Sequence, residues 1–114
     1  MEVIMEESIL ITIKKLLGFN KDYTAFDTDI IARVNTFLFT LMQLGVGPST
    51  GFRITGPYET WTSFIGDRTD LEAVKDFIYM KARIVFDPPT SAAALQALKE
   101  EAKELEFRIS IQVD

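Results

Sequence analysis

Residues 69–91 contain apolar positions that repeat with the period of a helix covered on most of its sides. The predicted helix has two adjacent apolar faces, one with Leu71, Val74, Ile78, Ala82 and Val85 and the other with Phe77, Met80 and Ile84. Thr69 and Glu72 have the spacing of a capping box, so we expect the helix to begin at Thr69. Pro88 and Pro89 disfavour helix before them and predict its end near Asp87. So little polar surface requires several neighbours, from this chain or from other copies.

Two further helices are predicted ahead of it. The first runs from about Glu6 to Leu17 and ends at Gly18, although residues 9–13 alone are also compatible with a buried strand. The second begins at Asp27 or Thr28, either of which can cap it, and ends at Gly45. Phe39 lies off the main apolar stripe of this second helix. We therefore expect Phe39 to contact another chain.

The region from Gly45 to Arg68 has no helical period over most of its length. It is rich in glycine and contains Pro48 and Pro57. The alternation of Phe52, Arg53 and Ile54 is typical of a short strand, so we expect a small hairpin or an ordered loop that contacts a neighbouring subunit or partner. A helical turn containing Trp61, Phe64 and Ile65 is expected to pack this region back onto the core.

The last helix is predicted from about Ser91 to Glu106. After it, residues 107–113 alternate between apolar and polar, which predicts a terminal strand. Such a strand would pair with an exposed sheet edge on another protein and fill pockets there with Phe107, Ile109, Ile111 and Val113. The fold class is thus mainly α: a single domain over 1–114, with about four helices in a small bundle, a loop or short β-hairpin at 45–68 and a C-terminal strand or arm at 107–114.

Composition removes many kinds of chemistry. The chain has no Cys and no His, which excludes disulfides, the usual zinc sites, thiolate nucleophiles and imidazole catalysis. Asp27 and Asp29, with Asp22 nearby, lack the glycine-centred loop of a calcium site and are interpreted as helix-capping acids. The glycine-rich segment 45–51 follows a helix and has no lysine placed to hold a phosphate. We predict no catalytic residue, no metal and no cofactor.

The charge balance indicates weak affinity for nucleic acid. Twelve basic and seventeen acidic residues give a net charge of -5, and no basic run exceeds Lys14-Lys15. The uncharged stretch between Arg33 and Arg53 is interrupted by Gly45 and Pro48, and its helical part is shorter than the roughly 20 residues of a membrane span. The first residues are acidic where a signal peptide is basic. We expect a soluble intracellular protein with no membrane contact.

The chain resembles the small head-tail connector or adaptor proteins of long-tailed bacteriophages, which sit beneath the portal in the virion neck. The resemblance covers nearly the whole chain and depends on the order of several short motifs. They are Ile13-Lys14-Lys15-Leu16-Leu17-Gly18, Asp27-Thr28-Asp29-Ile30, Gln43-Leu44-Gly45-Val46-Gly47-Pro48, Leu71-Glu72-Ala73-Val74-Lys75-Asp76-Phe77-Ile78-Tyr79, Phe86-Asp87-Pro88-Pro89-Thr90-Ser91 and Glu104-Leu105-Glu106-Phe107-Arg108.

This resemblance implies a ring of roughly a dozen copies joined by heterologous contacts. The ring would link the portal to the next neck or tail-completion protein and let DNA pass through its lumen without sequence-specific binding. The protein would reside in the virion neck, and in the host cytoplasm during assembly. Within this picture we expect three groups of functional residues: a portal-binding arm of Phe107, Ile109, Ile111 and Val113; lumen-facing Glu100, Glu101 and Glu104; and inter-subunit or neck contacts through Phe39, Phe52, Arg53 and Ile54.

Two other functions stay open at this stage. A small helical regulatory module would bind a protein or peptide in a groove between amphipathic helices. An enzyme would need paired Asp and Glu side chains for acid–base chemistry, and the spacing of the acidic residues does not indicate such a pair.

Overall fold

The structure is a computed structural model that describes residues 8–113, and these residues are mainly helical. The elements in chain order are α1 (Ile9–Leu16), α2 (Asp27–Gln43), α3 (Trp61–Ile65), a 3-10 turn (Thr69–Leu71), α4 (Ala73–Phe86) and α5 (Ala92–Gln112). Within residues 8–113, the one extended pairing is an isolated antiparallel bridge between Ser8 and Thr60. The mainly α fold class is confirmed.

Helix α4 is the centre of the bundle. It packs against α5, α2 and α1, and Val74, Phe77, Ile78 and Ala82 have no exposed surface. Full burial of a side chain such as Phe77 contributes about 1.5–3 kcal/mol. The chain itself therefore supplies the neighbours that the apolar circumference of α4 requires.

Helix α1 begins at Ile9, where the Ser8 hydroxyl accepts a hydrogen bond from the Ile11 amide at 3.2 Å. The helical interpretation of residues 9–13 is thus confirmed over the strand. The predicted start near Glu6 lies outside the described residues. The helix ends at Leu16, and Gly18 follows with a φ of +92°, a backbone conformation that favours glycine.

Asp27 does not cap α2, contrary to the sequence-based expectation. The N-cap residue is Phe26, without a side-chain bond to the helix. Asp27 instead forms an ion pair with Lys14, which is only 1% exposed, at 2.8 Å between Nζ and Oδ1. The same ammonium donates to the Lys21 carbonyl at 3.0 Å. A buried ammonium is costly without partners, and the Asp27 carboxylate compensates the charge of Lys14. The contacts of Lys14 also fix the loop that joins α1 to α2.

The predicted capping box at Thr69 is also absent, and α4 begins at Ala73. The Glu72 carboxylate contacts Lys75 at 2.9 Å and does not reach back to Thr69. In the 3-10 turn before α4, Asp70 is held by Arg68 at 2.8 Å and by the Gln112 amide at 3.1 Å. These contacts replace the capping box and tie the turn to the end of α5. The predicted end of this helix near Asp87 is confirmed.

The predicted C-terminal strand is wrong, because α5 continues as a helix to Gln112. Ile109 is 2% exposed and lies in the core on the same face as Ala102 and Leu105. Alternation over residues 107–113 is compatible with this helix, since positions 105, 109 and 113 turn inward while 107 and 111 turn outward. Arg108 and Glu104 form an i,i+4 ion pair at 2.8 Å that further stabilises the helical form.

The loop between α2 and α3 contains no hairpin, so of the two expected forms, a small hairpin or an ordered loop, the ordered loop is the one observed. The side chain of Asn35 takes the place of a partner strand for Ile54, which is 1% exposed. The predicted helical turn at Trp61 to Ile65 is confirmed as α3. The indole of Trp61 donates to the Thr12 hydroxyl at 3.1 Å, and the Ile9 amide donates to the Glu59 carbonyl at 3.0 Å. The loop is thereby fixed to α1 and α2.

Candidate functional site

The candidate surfaces lie on the outer sides of α2 and α5. We define the α5 stripe as the exposed residues that recur at alternating spacings of four and three along α5, and therefore follow one side of the helix. They are Ala93, Ala97, Glu100, Glu104, Phe107 and Ile111. Phe107 and Ile111 are 63% and 58% exposed. The side chains of the stripe are small at its N-terminal end, acidic in the middle and large and apolar at its C-terminal end.

The three glutamates predicted to face a lumen are all exposed, but they do not share one line. Glu100 and Glu104 belong to the α5 stripe, whereas Glu101 lies beside it. All three border a groove of about 540 Å³ between α4 and α5, where Arg83 and Leu98 also contribute to the lining. The Gln96 amide donates to Glu100 at 3.1 Å. Their role in a lumen stays a prediction.

The four residues predicted as a portal-binding arm are divided by the helix. Phe107 and Ile111 project outward and are available to a partner. Ile109 is buried in the chain's own core, so it cannot fill a partner's pocket while α5 is intact. Val113 is half-buried, and a Cβ placed on Gly45 would lie 3.6 Å from its Cγ2. Any arm made by this end of the chain is therefore a helix face with two exposed apolar side chains.

The four residues predicted as inter-subunit or neck contacts are also divided. Phe39 is 57% exposed and Arg53 is exposed. Phe52 is half-buried, with its ring centroid 5.1 Å from that of Phe64, and Ile54 is buried. Phe52 and Ile54 thus hold the loop onto its own chain, and Phe39 and Arg53 are left at the surface.

Phe39 belongs to an uncharged exposed face, which we define as the α2 stripe: Ala32, Thr36, Phe39 and Gln43. The Thr36 hydroxyl donates to the Ala32 carbonyl at 3.2 Å, and that of the adjacent Thr40 donates to the Thr36 carbonyl at 3.3 Å. Sequence reasoning singled out Phe39 alone. The alternating spacing of four and three around it is the signal that identifies the whole face.

A third exposed surface is an aromatic cluster before α2, which sequence reasoning missed. The ring centroid of Phe19 lies 6.1 Å from that of Tyr23 and 5.7 Å from that of Phe26. Tyr23 is 48% and Phe26 is 44% exposed. These residues are spaced four and three apart, as on a helix face, but residues 19–26 form a loop, and the loop brings the rings together.

Two carboxylates have pKa values shifted by local contacts. The Arg68 guanidinium, together with the Gln112 amide, holds the pKa of Asp70 well below its usual range. Burial acts to raise the pKa of Glu59, but the Thr55 hydroxyl and nearby backbone amides outweigh it and lower the pKa overall. The carboxylates of Asp70 and Glu59 thus both accept hydrogen bonds from other groups of the same chain. Within residues 8–113, no cluster of three or more acidic side chains has the arrangement of a metal site.

The two stripes lie on different helices, both of which pack against α4. Each stripe is the side of its helix opposite the buried residues. One subunit therefore presents two exposed surfaces of different composition. No helix within residues 8–113 has both the length and the apolar content needed to cross a membrane.

Comparison with known proteins identifies one family. A family model described as phage connector protein matches residues 9–114. No curated protein and no solved structure matches the chain. The family match extends from the first residue of α1 to the last residue of the chain, so it includes every surface described above. The chain belongs to the phage connector protein family, whose members have a structural connecting role in the phage particle.

Proposed function

We propose that this protein is a ring-forming adaptor of the virion neck that joins the portal to the next neck or tail-completion protein. The observation that carries the proposal is the pair of different exposed stripes on α2 and α5, which flank the central helix α4. Contacts between two different surfaces of identical subunits are heterologous, and they form a ring when the rotation closes. DNA would pass through the middle of such a ring.

The portal contact is assigned to the C-terminal end of α5. Phe107 and Ile111 form an exposed apolar pair one helical turn apart. Such a pair is suited to a groove on the portal, in the manner of an amphipathic helix bound by a partner. This replaces the strand addition that the sequence predicted, since residues 107–112 are helical.

The loop between α2 and α3 is assigned to the next neck or tail-completion protein. Its most exposed large side chain is Tyr58, at 81%, and Arg53 is also exposed. Aromatic side chains and arginine are enriched in protein interfaces. The bonds of Asn35 and Trp61 support this loop from beneath, so it would meet its partner in a preformed shape.

Acidic side chains are proposed to keep the lumen from retaining DNA. The net charge is -5, and Glu100, Glu101 and Glu104 are exposed. Phosphate contacts by Lys and Arg are the main source of non-specific affinity for DNA, so an acidic wall weakens it. In this account the protein acts in the virion neck after assembly in the host cytoplasm.

The native mass of the purified protein, alone and after incubation with portal rings, tests the proposal. We expect a discrete complex that contains one portal and one ring of this protein. A protein that stays small in both samples would contradict the proposal. That result would favour a small protein-binding module, for which the groove of about 540 Å³ lined by Phe39, Met42 and the loop from Gly45 to Gly51 is the candidate site.

A further inference from the structure

The α2 stripe is more apolar than its residue types indicate. The hydroxyls of Thr36 and Thr40 are bonded to carbonyls one turn back, so these side chains present their methyl groups to solvent. Phe39 is 57% exposed in the middle of this face. No charged residue occurs between Arg33 and Arg53 in the sequence. Charged residues are depleted at the centres of protein interfaces, so the α2 stripe has the character of an interface centre.

The α5 stripe complements the α2 stripe, because it has small and acidic residues where the α2 stripe has a large aromatic residue and an arginine at its edge. The α2 stripe and the first four residues of the α5 stripe, from Ala93 to Glu104, follow the same spacing of four, three and four residues, over the same length of roughly 16 Å at ~1.5 Å per residue. In an antiparallel alignment Phe39 lies opposite Ala97, and Gln43 lies opposite Ala93. A large side chain then meets the small end of the partner helix, which permits close approach.

Charges are complementary in the same alignment. Arg33 is exposed at the edge of the α2 stripe and forms no ion pair within the described residues. It would lie next to Glu104. Both nitrogens of Arg108 that contact Glu104 use its Oε2 atom, so the Oε1 atom remains available to the arginine of another subunit.

We propose that the α2 stripe of one copy packs antiparallel on the α5 stripe of the next copy, with Phe39 against Ala97 and Arg33 paired with Glu104. The occupant of the α2 surface is thus a second copy of this chain. This inference deepens the ring proposed above and rests on it.

Other pairings of the same surfaces are less favourable. Parallel alignment of the two stripes brings Phe39 onto Glu100. Antiparallel pairing of two α5 stripes brings Glu100 of one copy onto Glu104 of the other, and like charges at such positions repel. Two paired α2 stripes leave Arg33 without an acidic partner on the opposing stripe. Among these pairings, in the register that uses Ala93 to Glu104, the heterologous antiparallel contact is the one that satisfies both the size and the charge of the residues.

The proposed contact changes the assignment of two lumen candidates. Glu100 and Glu104 would lie between subunits, and Glu101, which is off the stripe, would remain for the lumen. Packed helices cross at about 20° or 50°, so the α5 end that carries Phe107 and Ile111 would diverge from α2. That end stays free for the portal.

Cysteine crosslinking tests this contact, because the natural chain contains no Cys. The double variant with Phe39→Cys and Ala97→Cys is treated with a bis-maleimide that bridges the roughly 8–10 Å between packed helices. The matched control combines Phe39→Cys with Ala92→Cys, since Ala92 is also exposed but lies off the stripe. Each single variant is treated in parallel, and circular dichroism verifies the helical fold. Protein alone and protein bound to portal rings are both used.

We expect a ladder of covalent oligomers from the Phe39→Cys and Ala97→Cys pair, at least tenfold stronger than from the control pair, and none beyond dimer from single variants. Efficient dimerisation of the Phe39→Cys single variant would overturn the contact in favour of an isologous one. Equal ladders from test and control pairs, or no ladder in either sample, would also overturn it.

A charge exchange supplies an independent readout. Arg33→Glu alone should reduce assembly at least tenfold, and adding Glu104→Arg should restore it, whereas Lys99→Glu, an exposed change on α5 off the stripe, should leave it unchanged. If wild-type rings form on the portal but Arg33→Glu does not reduce assembly and Glu104→Arg does not restore it, the proposed contact is wrong and the proposed function stands. A ladder without any binding to the portal would leave the contact in place and contradict the neck function.

Discussion

Asn35 pairs with the backbone of Ile54 as a neighbouring strand would. Its Oδ1 accepts from the Ile54 amide at 2.7 Å, and its Nδ2 donates to the Ile54 carbonyl at 3.0 Å. One side chain on α2 thus satisfies both backbone groups of a buried loop residue. The loop is held to the helix bundle although it forms no sheet of its own.

We expect Asn35→Ala to destabilise the fold by about 1–3 kcal/mol, because both backbone groups of Ile54 lose their partner in a buried position. Chemical denaturation measures the free energy of unfolding, and hydrogen exchange reports the Ile54 amide. The amide should be protected in the wild-type subunit and exchange faster in the variant. Gln43→Ala, an exposed change on the same helix, serves as the control. Equal exchange in both variants would show that Asn35 does not hold the loop.

Lys14→Met should destabilise the protein, because it leaves Asp27 without its ammonium partner in a partly buried position. Breaking a buried ion pair costs about 3–5 kcal/mol, and the 24% exposure of Asp27 places the expected value near the lower end. Thermal unfolding measures the effect. Lys15→Met removes an exposed charge from the adjacent position and should change stability by less than about 0.5 kcal/mol. Similar losses in both variants would be inconsistent with a structural role for the buried ion pair.

Asp70 predicts a pH dependence of stability. Its pKa is lowered from 3.8 in the folded state by Arg68 and Gln112. The stabilisation of the fold by the ionised Asp70 carboxylate is therefore fully present above the pKa of Asp70 in the unfolded chain. It is lost as the pH falls through the lower pKa of the folded state. Asp70→Asn should lower the melting temperature slightly at pH 7, and the difference from wild type should shrink as the pH falls below about 4. Asp67→Asn is the neighbouring control, and a difference that persists at low pH would argue against this linkage.

Ile109 and Ile111 should respond in opposite ways to truncation. Ile109→Ala should cost about 2–5 kcal/mol of stability, because it leaves a cavity in the core. Ile111→Ala should change stability by less than about 0.5 kcal/mol but weaken binding to the portal. Denaturation and portal co-sedimentation measure the two effects. Loss of portal binding in a stable Ile109→Ala variant would indicate that the end of the chain leaves its helix on docking.

The sequence predicts the helices well where apolar residues repeat over several turns, as in α2 and α4. It fails at Asp27 because a tertiary ion pair with Lys14, on another helix, uses the carboxylate instead of a cap. It fails at Thr69 because the local pair of Arg68 and Asp70, bonded also by Gln112 from the far end of the chain, replaces the capping box. Spacing alone does not reveal the contacts of Lys14 and Gln112, because these residues lie on other elements.

The terminal strand fails for a different reason. Alternation at 107, 109, 111 and 113 fits both a strand and the two sides of a helix. The helix is favoured because the buried face of α5, opposite the α5 stripe, continues to Ile109. Among the functional candidates, sequence identified Phe39 because it departs from the apolar pattern. It could not distinguish Ile54 from Arg53 in burial, because the bonds to Asn35 that bury Ile54 join residues far apart in the chain.

Electron microscopy of portal-bearing heads, with and without this protein, tests the neck function most directly. We expect a closed ring added at the outer end of the portal, coaxial with its channel and open at the centre. Adjacent subunits in that ring should meet through α2 and α5. Heads whose portal vertex is unchanged after saturation with folded protein would contradict the account.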